Sequence, residues 1–129
     1  KKNYHFDFIK NELKRPTYQI AKNSKFIITI DSTLGYEMLA AGNKVALYGI
    51  RPEKYPLNTR NFLWPNYRRG KGKYWINDEN LSFEEFAELN DSLLKIKEKE
   101  WEEEIIKIRN EVMNYDPGNK IFIKETDLK

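Results

Sequence analysis

Residues 28–45 read Ile28-Thr29-Ile30-Asp31-Ser32-Thr33-Leu34-Gly35-Tyr36-Glu37-Met38-Leu39-Ala40-Ala41-Gly42-Asn43-Lys44-Val45. The stretch opens inside Phe26–Ile30, a continuous apolar run rich in β-branched side chains. Such a run predicts a strand buried on both faces, as in a parallel sheet. Asp31-Ser32-Thr33 follows at once and offers N-cap chemistry for a helix. Tyr36–Ala41 is helical in pattern, and Gly42-Asn43 is its stop. Val45–Tyr48 is a second short apolar strand. Strand, helix and strand in so few residues predict parallel strands joined by a crossover.

The junction carries the chemistry. The first amides of the helix, those of Thr33, Leu34 and Gly35, have no acceptor within it. With the helix dipole they make an anion site at the C-terminal end of a parallel strand, where open α/β sheets bind ligands. The Ser32 and Thr33 hydroxyls add donors, and Gly35 is expected to let a phosphate approach closely. Glu37 lies about one turn into the helix, where a carboxylate can accept hydrogen bonds from a diol such as a ribose. The same residues also suit a plain N-cap followed by a favourable acid.

Asp31-Ser32-Thr33-Leu34-Gly35-Tyr36-Glu37, with Ala40-Ala41-Gly42-Asn43-Lys44-Val45, resembles the nucleotide-binding motif in the C-terminal half of GT-B-fold glycosyltransferases. It looks most like transferases of bacterial surface-carbohydrate and capsule biosynthesis. It is also similar in spacing to the Asp-Ser-Gly-Gly…Glu-Glu segment of UDP-GlcNAc 2-epimerases, with Thr33-Leu34 where those carry Gly-Gly. The likeness extends over about residues 16–48. It implies that Ser32, Thr33, Leu34 and Gly35 hold a donor diphosphate and that Glu37 binds the ribose. It implies a nucleotide sugar as substrate, with no cofactor and no metal. A GT-B enzyme has two Rossmann-like halves, and this chain has room for one. The acceptor, a glycan or a lipid-linked glycan, is then expected to bind a further N-terminal domain. A chain opening at Lys1 without Met agrees with a piece of a longer protein.

From Gly49 to Gly72 the periodicity breaks, with Pro52, Pro56, Pro65, Gly70 and Gly72 punctuating a long aromatic loop. Loops of that length in a compact domain are usually functional. Residues 49–75 carry seven Lys/Arg against Glu53, a balance of +6. Arg51, nearest the strand end, is the best candidate for a phosphate contact. Arg60, Arg68, Arg69, Lys71 and Lys73 could clamp a diphosphate from the same side, and Trp64 or Tyr67 could stack on a base or sugar. A loop folded over its own aromatics, with solvated charges, is the plainer reading for most of them. Gly70-Lys71-Gly72-Lys73 lacks Walker A spacing.

Residues 4–14 and 16–23 suit short helices, the second with Pro16 in its first turn. Lys73–Ile76 suits a short strand. Ser82-Phe83-Glu84-Glu85 is a capping box, opening a helix expected to bury Phe83, Phe86 and Leu89. Asn90-Asp91 is expected to interrupt it. Trp101, Ile105, Ile108 and Val112 then form one apolar stripe on a long helix, which Asp116-Pro117-Gly118-Asn119 should stop. Ile121–Ile123 is a short apolar element near the end. Residues 82–115 carry ten acids against five bases, a balance of −5.

The chain has 129 residues, 40% hydrophobic and 33% charged, which is globular and long enough for one core. It has no cysteine, so disulfides, thiolate metal sites and cysteine nucleophiles are excluded. The single His5 excludes a multi-histidine metal site and reads as packing or surface. No apolar run approaches the roughly 18 residues of a membrane helix.

These observations predict an α/β fold, a Rossmann-like parallel sheet with helices on both faces and a C-terminal helical extension. Residues 1–80 would form the donor-binding core, with its basic loop at 49–72, and 81–129 the helices packing on it. The expected function is donor binding in a glycosyltransferase of surface polysaccharide biosynthesis, cytoplasmic or peripheral at the inner membrane face. One alternative is half of a UDP-sugar 2-epimerase. Another is a nucleic-acid-binding module using residues 49–73, which the acidic C-terminal third disfavours by repelling a polyanion.

Overall fold

The structure, a computed structural model, describes residues 16–30, 32–49, 69–78, 80–118 and 120–125. The expected helix at 4–14, His5 and most of the basic loop lie outside them. The element order is α1 (Pro16–Asn23), β1 (Ile27–Thr29), α2 (Thr33–Ala41), β2 (Val45–Tyr48), β3 (Gly70–Lys71), β4 (Trp75–Asn77), α3 (Phe83–Lys95), α4 (Glu98–Glu111) and α5 (Lys120–Glu125).

The sheet runs β1-β2-β4-β3. β1, β2 and β4 are mutually parallel, with Ile28 opposite Ala46 and Leu47 opposite Trp75. β3 is antiparallel to β4, Lys71 facing Ile76, so the sheet is mixed rather than wholly parallel. The Gly-Lys-Gly-Lys stretch is therefore a hairpin, closed by a bond from the Gly72 amide to the Trp75 carbonyl at 2.8 Å. A Cβ at Gly72 would run into the Trp75 indole.

β2 is the central buried strand, all four residues inside. Its side chains alternate between the two faces. Leu47 faces α2. Tyr48 faces α3, where its ring lies 5.1 Å from that of Phe86 and its hydroxyl donates to Asn90 Oδ1 at 2.8 Å. Burial pushes the Tyr48 hydroxyl up to about 12. Helices thus cover both faces, and α3 and α4 add Leu89, Leu93, Trp101, Ile105, Ile108 and Val112 to the same core as the sheet.

Four further expectations change. β1 is not buried on both faces: it ends the sheet as described, and Ile28 is 50% exposed. Position in the sheet, not strand composition, decides that. Phe83 is 71% exposed, because the first residue after the cap points away from the face that carries Leu89 and Leu93. Asn90-Asp91 does not interrupt α3, which runs on to Lys95. Asn90 is held by Tyr48, and Asp91 pairs with Lys95 one turn on at 3.1 Å. α4 ends at Glu111, before Asp116-Pro117, once its stripe has been buried as far as Val112.

The capping box forms in full. The Glu85 amide donates to Ser82 Oγ at 3.2 Å and the Ser82 amide to Glu85 Oε2 at 3.0 Å. Caps of this type are worth about 1 kcal/mol.

Candidate functional site

α2 begins where the sequence places it. Ser32 is the N-cap residue, extended at φ −100° and ψ 135°. Its carbonyl accepts the Gly35 amide at 2.8 Å and the Tyr36 amide at 3.3 Å. Its hydroxyl makes no capping bond. The Gly35 amide is thus engaged within the first turn, leaving Thr33 and Leu34 as the amides that open the helix.

Gly35 itself is buried against the sheet. A Cβ there would collide with Thr29 Cγ2 and sit 3.1 Å from Leu47 Cδ2. Its missing side chain lets α2 lie close on β1 and β2. Gly35 and Leu39 mark the sheet-facing side of α2. Thr33 and Glu37, one turn apart, lie on the opposite side. Leu34 packs partly buried against the core.

The parallel register sets what shares this end of the sheet. The C-terminal ends of β1, β2 and β4 lie at one edge. Ser32 follows β1 there, and Gly49 follows β2, its amide donating to the Ile76 carbonyl at 2.8 Å. Gly70 opens β3 opposite Asn77 at the same edge. The basic loop therefore leaves and returns at the edge where α2 begins. Arg51, Arg60, Trp64, Tyr67 and Arg68 lie outside the described residues.

Lys71 and Lys73 do not stand ready as phosphate clamps. Lys71 pairs with Glu85, which raises the lysine's pKa. The same lysine, together with the Ser82 amide, lowers the Glu85 carboxyl to about 2. Lys73, at the hairpin tip on the far edge, pairs with Glu104 at 3.2 Å. The acidic helices thus neutralise part of the basic segment, a pairing invisible in a linear charge count.

The other end of the motif is structural. Gly42 has φ 108°, its amide donates to Leu39 O, and the Asn43 amide donates to Met38 O, both at 3.0 Å. That is a Schellman stop. Asn43 Nδ2 reaches carbonyls at the C-terminal end of α1, the nearest Lys22 O at 3.3 Å. Lys44 Nζ donates to Ile96 O at 3.0 Å and pairs with Glu98 at 3.1 Å, fastening the α3–α4 joint. The sequence marks Trp101 only as part of an apolar stripe and does not mark Arg109, yet both reach from α4 to the end of α2: Trp101 Nε1 donates to Gly42 O at 2.9 Å and Arg109 Nε to Ala40 O at 2.8 Å.

A family model described as "putative O-antigen biosynthesis protein" matches residues 1–127. The chain belongs to this family. Family membership associates the chain with surface-carbohydrate biosynthesis, the class the Ser32–Glu37 motif resembles. No curated protein and no solved structure matches the chain significantly. Among the described residues of this O-antigen biosynthesis family member, no helix is long and apolar enough to cross a membrane. No group of three or more His, Cys, Asp or Glu among them could hold a metal ion.

Proposed function

We propose that this chain binds the nucleotide-sugar donor of a glycosyltransferase acting in O-antigen biosynthesis. The diphosphate lies against the N-terminus of α2, where the Ser32 and Thr33 hydroxyls and the Thr33 and Leu34 amides donate to it. Gly35 contributes by holding the helix close on the sheet. Glu37 accepts from the ribose hydroxyls, and Arg51, just past Gly49, neutralises phosphate charge. The acceptor binds elsewhere, on a domain this chain does not supply.

The observation that carries this reading is the state of Ser32. It occupies the cap position at the edge where the parallel strands end, yet its hydroxyl does not cap the helix. Among the described residues, neither the Ser32 hydroxyl nor the Thr33 and Leu34 amides has a hydrogen-bond partner. Membership in an O-antigen biosynthesis family supplies the chemical setting. Catalysis at such a site is electrostatic: donors already aimed at the departing diphosphate stabilise the charge it gains as the glycosidic bond to the sugar breaks.

The test is calorimetric titration with UDP-, GDP- and CMP-sugars of the wild-type chain and of Ser32→Ala and Glu37→Gln. The reading requires one donor class to bind and both substitutions to weaken it. If no donor binds, or if neither substitution matters, the reading is wrong.

A further inference from the structure

We infer that Arg109 is a positioning residue for the donor site, setting from α4 the seat of α2; the inference rests on the reading above. The last carbonyls of a helix lack donors within it and need donors from outside. In α2, Met38 and Leu39 carbonyls are served by the Asn43 and Gly42 amides of the stop. Ala40, only 2% exposed, is served from outside by Arg109 Nε at 2.8 Å. The carbonyl of Gly42, just past the helix, is served by Trp101 Nε1 from the same face of α4. The guanidinium also lies over the Tyr115 ring, 5.1 Å from its centre.

Two consequences reach the other end of α2. A cation at the C-terminus complements the macrodipole whose positive end faces the diphosphate. The bond to Ala40 also fixes the tilt of a nine-residue rod. That rod is about 13 Å long, and near its front Gly35 brings its backbone directly against Thr29 and Leu47, a contact about which it tilts. A small change of seat at Ala40 therefore moves the Thr33 and Leu34 amides.

Arg109→Met removes charge and bond, Arg109→Lys keeps the charge, and Glu103→Gln is an exposed α4 control. We expect Arg109→Met to weaken donor binding about two- to fivefold. Arg109→Lys should be intermediate and Glu103→Gln neutral. Without ligand, the amide resonances of Thr33 and Leu34 should shift in Arg109→Met. All measurements are made well below the melting temperature of the weakest variant. Lower stability with unchanged Thr33 and Leu34 resonances and unchanged donor affinity overturns the inference. If the wild type binds no donor, the functional reading fails, and the ligand-free resonances alone decide whether Arg109 sets the seat of α2.

Discussion

The indole Nε1 of Trp101 donates to the carbonyl oxygen of Gly42 at 2.9 Å, across 59 positions of sequence. The bond joins the C-terminal stop of α2 to the first buried turn of α4, and it makes the helix that carries the candidate site depend on a helix far away in the chain.

Trp101 is 2% exposed, so its removal has two separable costs. Trp101→Phe should cost about 1–3 kcal/mol, because it leaves the Gly42 carbonyl without its donor. Trp101→Ala should cost about 3–5 kcal/mol, because it also opens a cavity. Urea denaturation followed by far-UV circular dichroism measures both. A Trp101→Phe protein of wild-type stability would mean that the hydrogen bond contributes nothing.

Gly35 is predicted to be a packing residue. Gly35→Ala should destabilise by about 1–3 kcal/mol, since the new methyl meets Thr29 Cγ2 and Leu47 Cδ2. Thr29→Ser removes that Cγ2 and should recover part of the loss, so the two changes will not be additive. A Gly35→Ala protein of wild-type stability would return the residue to the ligand.

Acid stability should depend on Glu85. Its folded pKa is lowered from 4.5 to about 2, first by Lys71 and then by the Ser82 amide. A carboxyl depressed on folding stabilises the protein above its unfolded pKa. That contribution disappears as pH falls from about 4.5 toward 2. Melting temperatures across this range should fall less steeply for Glu85→Gln than for wild type. Parallel curves for the two proteins would contradict the pairing.

Lys73 should be dispensable for ligand. Its partner Glu104 also receives Lys107 at 3.4 Å, so Lys73→Met should cost no more than about 1 kcal/mol. Donor affinity in calorimetry should not change. A large loss of affinity would show the hairpin tip, at the far edge of the sheet, reaching the ligand.

Local signals are legible in the sequence. The helix start at Ser32–Thr33, the glycine at 42, the Ser82–Glu85 box and the stripe from Trp101 to Val112 each lie within a few helical turns. Properties set by distant partners were not legible. The two-residue strand Gly70–Lys71 is too short to show a period. The open face at Ile28 follows from the order of strands. Continuity of α3 through Asn90 depends on a tyrosine 42 residues earlier. The candidate site divides in the same way. Ser32 through Glu37 announces itself by residue type. That Gly35 serves the sheet, that Lys71 is held by Glu85, and that Arg109 grips Ala40 are known only from the fold.

The central claim is that the start of α2 holds the diphosphate of a nucleotide sugar. Its most direct test is a 15N-correlation NMR titration of this chain with UDP-, GDP- and CMP-sugars to millimolar concentration. The claim predicts saturable shifts at the amides of Thr33, Leu34 and Glu37 with one nucleotide class, abolished in Ser32→Ala. Amides 32–37 unmoved by all three would contradict it.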